Sequence, residues 1–179
     1  NGTAYHYKLF QYTKGLKYSQ SATAQGSPGL YHKTSLSGPA IGIARSESRI
    51  FVAKGSSGLE VMDYAIPTNP VVLGRYAFDG YANSVTVSGN FAYVSALSSG
   101  VMILDVSNPS KPTLVGSYNT AGVATSVAVQ DGVAYIADGA SGIVLLNVSN
   151  PANPVLLKAL DTAGTASNIA ISGSIAYVA

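Results

Sequence analysis

Residues 93–134, YVSALSSGVMILDVSNPSKPTLVGSYNTAGVATSVAVQDGVA, state a theme that the chain repeats. A copy begins before it at Phe51, another follows at Tyr135, and a further one opens at Tyr177. Phe51, Tyr93, Tyr135 and Tyr177 stand at intervals of 42 residues. A strict period of that length restricts the fold to a solenoid, a propeller or another array of stacked units, because one unit alone cannot bury its apolar face.

Each unit reads as four short strands. In residues 126–161 the first is SVAV at 126–129, and the turn Gln130-Asp131-Gly132 leads to VAYIA at 133–137. The run Asp138-Gly139-Ala140-Ser141-Gly142 is a hairpin loop, with glycines free to take positive φ. IVLLNV at 143–148 is the third strand. Residues 149–154 hold Pro151 and Pro154, which cannot donate to a ladder, so they form a loop before the fourth strand at 155–160. No stretch carries a helical period. Gly80, Gly122 and Gly164 recur where the chain must turn sharply into the first strand. Asp63, Asp105 and Asn147 close the third strand, where a side-chain oxygen can accept from the amides of the following turn.

A β-helix has shorter coils, and a leucine-rich repeat has a shorter unit with an Asn ladder. Four-stranded blades set radially match both the length and the strand count. The expected fold is therefore all-β, a β-propeller of four-stranded antiparallel blades. Complete blades are expected at 42–77, 84–119 and 126–161, and residues 168–179 begin the next. SVTV, SVAV and NIAI would be inner strands, their small side chains fitting the taper. Residues 1–36 are expected to be a diverged partial blade, since Pro28 precedes Pro70 by one period, as Gly38 and Ala40 precede Gly80 and Ala82. About four units suggest an incomplete ring, open at both edges. The chain starts at Asn1 without Met or a signal sequence and stops at Ala179 in a strand-like run, so both ends are expected to be cuts from a longer protein.

Composition narrows the function. Charged residues are 10% of the chain, against about 25% in ordinary soluble domains, a balance that fits a turn-rich protein working outside the cytoplasm. The net charge of +2 gives no reason to expect a polyanion. Tyr and Lys alternate in the first 18 residues, which reads as a sheet edge and not as a nucleic-acid surface. Cysteine is absent, which excludes disulfides and thiolate metal sites. No apolar run reaches the ~20 residues of a membrane helix, so no membrane insertion is expected.

The search for a reaction finds little. The two histidines, His6 and His32, lie in the diverged segment without a partner ligand at a familiar spacing, and no Gly-x-Ser-x-Gly elbow exists. No glycine-rich loop carries the Lys and Ser/Thr of a phosphate cradle. Asp63 and Asp105 follow the repeat and read as turn formers, while Asp131 and Asp138 sit beside Gly in turns. Asp79 and Asp161 lie on loops that lead into inner strands, where loops crowd the channel mouth. Paired carboxylates there would suit a hydrolase or lyase acting on polysaccharide, its site completed by other blades. No cofactor is expected; the Asp/Asn turns lack the acid count of a calcium loop, and calcium is the one ion left open.

The third strand also carries a resemblance. LEVMD at 59–63, VMILD at 101–105 and IVLLN at 143–147 look like the LVIVD motif. Val-Ser-Asn-Pro follows two copies, Gly-x-Ala precedes each inner strand, and Ala-Tyr-Val or Ala-Tyr-Ile comes after it. Residues 38–179 thus resemble the LVIVD-repeat proteins of bacteria and archaea. Asn147 replaces the motif's Asp, and Ala65-Ile66-Pro67 replaces Ser-Asn-Pro in one copy. The resemblance implies a propeller, often within exported or cell-surface proteins, and brings no catalytic residues. The leading expectation is a non-enzymatic binding or scaffold module, extracellular or at the cell surface, that contacts protein or carbohydrate and packs on adjoining blades of its own chain. Its contact surface would be a loop face bearing Asp79, Tyr81 and Asn83, then Thr120 and Thr125, then Asp138, Asp161 and Ser167, polar positions that vary while the framework repeats.

Overall fold

A computed structural model describes residues 39–66 and 69–179 of the chain. The expected diverged blade at 1–36, with His6, His32 and the Tyr/Lys-rich run, lies outside the described residues. Every regular element among the described residues is a β-strand.

Three four-stranded antiparallel sheets follow one another along the chain. The first holds β1 (Gly42–Ser46), β2 (Arg49–Ala53), β3 (Leu59–Asp63) and β4 (Val71–Tyr76). The second holds β5 (Ser84–Ser88), β6 (Phe91–Ser95), β7 (Val101–Asp105) and β8 (Thr113–Tyr118). The third holds β9 (Ser126–Gln130), β10 (Val133–Ala137), β11 (Ile143–Asn147) and β12 (Val155–Leu160). A two-stranded sheet of β13 (Ile169–Ser172) and β14 (Ile175–Val178) comes last. In each sheet the strands lie in sequence order, as short turns require. The first strands β1, β5, β9 and β13 pack side by side, so the sheets fan from that edge as propeller blades. The sheets do not close on one another, which makes the described part an open arc.

Turn chemistry sets the strand ends. Two-residue turns join β1 to β2 and β9 to β10, and Glu47 and Asp131 take φ of 53° and 51° there. The first strand of the third blade runs one residue longer than the sequence suggests, to Gln130, and its third strand ends one residue sooner, at Asn147. The reason for the early stop is the Asn147 side chain, whose Oδ1 accepts from the Ser149 amide at 2.9 Å and turns the chain out of the ladder. Asp63 and Asp105 do the same with the amides of Ala65 and Ser107, both at 2.8 Å. A register shift recurs between the third and fourth strands of each blade, at Val61/Met62, Ile103/Leu104 and Leu145/Leu146.

Period-two alternation gives each blade two apolar faces, and these make the core. Phe51, Ala53, Leu59 and Val61 of the first blade pack on Ala92, Val94 and Leu104 of the second. Tyr93, Val101 and Ile103 on the other face of the second blade pack on Ala134, Ile136, Val144 and Leu146 of the third. Burial of Tyr93 pushes its phenol pKa up. Gly74 and Gly116, on the fourth strands, let the next blade's Asn-Pro loop approach: a β-carbon at either would meet the carbonyl oxygen of Pro109 or Pro151. The matching position of the third blade is Lys158, on a strand exposed throughout.

Candidate binding face at the loop end

Two kinds of loop meet at one end of every blade. One is the hairpin between second and third strands, at 54–58, 96–100 and 138–142. The other leads into the next first strand, at 77–83, 119–125 and 161–168. Reciprocal backbone bonds join them across blades: Gly55 with Ala82, Leu97 with Ala124, and Gly139 with Ala166, at 3.0–3.1 Å. Each hairpin is thereby fixed to the following blade, and the loop end is a continuous, cross-linked surface.

The residues named from the sequence on this end divide by environment. Asp138 is fully buried. Its carboxylate accepts from the Thr120 hydroxyl at 2.5 Å and from the Gly122 amide at 2.9 Å, so hairpin and lead-in loop of the third blade are pinned together. Thr120 is buried with it. Asn83 donates through Nδ2 to the Thr125 carbonyl at 2.6 Å, and the Ser95 hydroxyl donates to the same oxygen at 3.1 Å. The Thr125 hydroxyl lies 3.1 Å from the Ala137 carbonyl and 3.3 Å from that of Ala166. Asn83, Ser95 and Thr125 thus join blade to blade. Asp79, Tyr81, Asp161 and Ser167 are exposed.

Alternation along the lead-in loops sorts constant from variable positions. Gly80, Gly122 and Gly164 recur, as do the buried Ala82, Ala124 and Ala166. The exposed positions between them differ in every blade or nearly so: Ala77, Asn119 and Asp161; Asp79, Ala121 and Ala163; Tyr81, Val123 and Thr165.

Two features escaped the reading of the sequence. Lys54, Ala96 and Asp138 share one repeat position, as do Glu60, Met102 and Val144. In the first blade this places a charged pair inside: Lys54 Nζ lies 3.1 Å from Glu60 Oε2, with both side chains no more than 3% exposed. Arg75 Nε, itself exposed, reaches the same oxygen at 2.6 Å. Glu60 Oε1 has no partner among the described residues. The second is Leu97, with φ of 52° where Gly55 and Gly139 have 60° and 63°. Aligning the copies residue by residue would have shown both. Among the described residues no group of three His, Asp or Glu side chains could hold a metal ion, and no helix is long and apolar enough to cross a membrane.

Comparison with known proteins agrees with this architecture. The sequence model of the LVIVD repeat matches residues 79–120, 121–162 and 163–179, more than half of the chain. No curated protein matches the sequence. Among solved structures, the computationally designed Ika4 protein is similar over 80% of this chain and 86% of its own, at a TM-score of 0.62 and 11% identity. The designed Ika8 protein is similar over 78% of this chain and 42% of its own, at a TM-score of 0.64 and 12% identity. The glutaminyl cyclase of Myxococcus xanthus is similar over 78% of this chain and 60% of its own, at a TM-score of 0.55 and 14% identity. At such identities the likeness is one of fold, and this chain spans less than two thirds of the natural structure and of Ika8.

Proposed function

Because the chain belongs to the LVIVD-repeat family, and is a propeller repeat module, we propose that it serves as a binding or scaffold module of an exported or cell-surface protein, with contact made through the loop end. One observation carries this reading. The loop end holds its backbone constant, through recurrent Gly, buried Ala and blade-to-blade bridges, while the exposed positions of its lead-in loops change from blade to blade, Ala121 and Ala163 excepted. Repeat proteins place recognition on invariant supports in this way.

Four of the acids, apart from the exposed Asp79 and Asp161, serve the framework. Asp138 accepts from Thr120 and Gly122, Asp63 and Asp105 close turns, and Glu60 pairs with two cations. The low charge content supports an extracellular setting. A contact surface of protein or carbohydrate type is then supplied by Asp79, Tyr81, Asp161 and Ser167, with Asn83, Thr120, Thr125 and Asp138 as the supports that hold those loops.

The test is to probe the immobilised chain with glycan and peptide arrays, beside a variant carrying Asp79→Ala, Tyr81→Ala, Asn119→Ala and Asp161→Ala. The reading expects binding to be lost with no change in the unfolding midpoint. Binding that survives all four substitutions, or that maps to the opposite end around Lys111 and Asp131, would overturn it.

A further inference from the structure

Leu97 occupies a backbone conformation that both of its repeat counterparts give to glycine. Its φ of 52° lies in the left-handed region, where a β-carbon crowds the following carbonyl. Framework economy would place glycine here too, since the backbone bridge to Ala124 needs no side chain. Strain of this kind persists where the side chain itself is used.

The neighbours of its repeat counterparts show where this side chain sits: a β-carbon at Gly139 would lie 3.5 Å from Val123 Cβ, the relation that Leu97 has to Tyr81 one blade earlier. At the counterpart position, Gly55, an added β-carbon would come within 2.9 Å of the Tyr81 ring and 3.1 Å of Ile41 Cδ1, so those two apolar groups flank it. Tyr81 and Ile41 are 42% and 38% exposed. The loop carrying Tyr81 lies against the hairpin carrying Leu97, where the Ser99 hydroxyl donates to the Asp79 carbonyl at 3.5 Å. The bridge from Leu97 to Ala124 then sets it beside Val123, 45% exposed. The exposed Ile41, Tyr81 and Val123, with the half-buried Leu97 among them, thus form an apolar strip that crosses three blades on the loop end. Exposed charge on the loops of this end, among the described residues, is carried by the carboxylates of Asp79 and Asp161, while the buried Lys54 and the exposed Arg75 at the end of β4 both turn to Glu60.

Resting on the binding role proposed above, we infer that this strip docks a polypeptide segment with an apolar anchor flanked by Lys or Arg. Exposed apolar side chains inside a polar rim mark protein contacts more than sugar contacts, and the two carboxylates select a basic flank. Tyr81 and Leu97 are its central contacts, and Leu97 is the residue whose backbone strain the binding role explains.

Selection of a random peptide library on the full chain tests this. Enriched sequences should combine an aliphatic or aromatic residue with Lys or Arg, and their affinity should fall as salt is raised. Tyr81→Ala and Leu97→Gly should each weaken an enriched peptide by about tenfold or more. Leu97→Gly should also leave the unfolding midpoint unchanged or higher, which separates display from packing. A lowered midpoint in Leu97→Gly, peptides that bind Leu97→Gly undiminished, acidic or neutral consensus sequences, or no enrichment would each overturn the inference. Glycan binding that needs Asp79 and Asp161 but ignores Leu97→Gly would also overturn it, while leaving the broader binding role in place.

Discussion

Gly116 of the second blade faces the carbonyl oxygen of Pro151 in the third so closely that no β-carbon fits between them. Gly74 stands in the same relation to Pro109, one blade earlier. The pairing shows that blades touch along their outer strands as well as at the axis, and that the Asn-Pro loops are packing surfaces. Gly116→Ala should therefore push the two blades apart and cost about 1–3 kcal/mol. Lys158→Gly, at the same position of the exposed β12, removes no contact and should cost no more than about 1 kcal/mol. Urea unfolding of the two variants checks the order.

The buried pair in the first blade makes a second prediction. Glu60→Met alone copies Met102 but leaves the Lys54 ammonium buried without its partner, at a cost of about 3–5 kcal/mol. Adding Lys54→Ala, which copies Ala96, should recover much of that loss. A double-mutant cycle measures the coupling directly, and an additive result would mean that the two charges do not depend on each other.

The Ser107 side chain and its backbone amide, which donates to the Asp105 carboxylate at 2.8 Å, hold the folded carboxyl below its ordinary pKa. A carboxyl whose pKa is lowered on folding adds stability that is present above the unfolded value and is lost as pH falls through the folded one. Asp105→Asn keeps the turn acceptor, as Asn147 does, without a proton to bind. The variant should lose less stability than the parent on acidification below about pH 4, as read from urea midpoints across that range.

Removal of the Asp138 carboxylate should loosen the loop end without unfolding the blades. In Asp138→Ala the Thr120 hydroxyl and Gly122 amide lose their acceptor, at a cost of about 1–3 kcal/mol. Faster hydrogen exchange at Gly122, with exchange unchanged at Tyr93 and Tyr135, is the expected signature.

Much of this fold was legible because each repeat writes its turns in residues with a mechanical reason to be there. Pro151 and Pro154 exclude a ladder, and Asp105 and Asn147 announce the turn amides they accept. The bounds of β10 and β12 were read correctly from such signals. The fourth-strand register shift left no mark, since no residue type is required at a bulge whose extra residue is apolar. The loop end was legible as a place, because Asp79 and Asp161 had to lie on loops into inner strands. Asp138 was harder: a carboxylate beside Gly139 reads as a solvent-facing turn, and its burial follows only from Thr120 and Gly122, 18 and 16 residues away. Lys54 and Glu60 carry no turn or motif signal, and only comparison of their repeat positions with Ala96 and Met102 marks them as buried.

Backbone NOEs across strands test the radial-blade account most directly. Pairing inside each repeat predicts strong contacts from Tyr135 to Ala128 on one side and to Leu145 on the other. Strong backbone contacts from Tyr135 to Tyr93, one period away, would instead mean strands stacked in register along a coil, and would contradict the account.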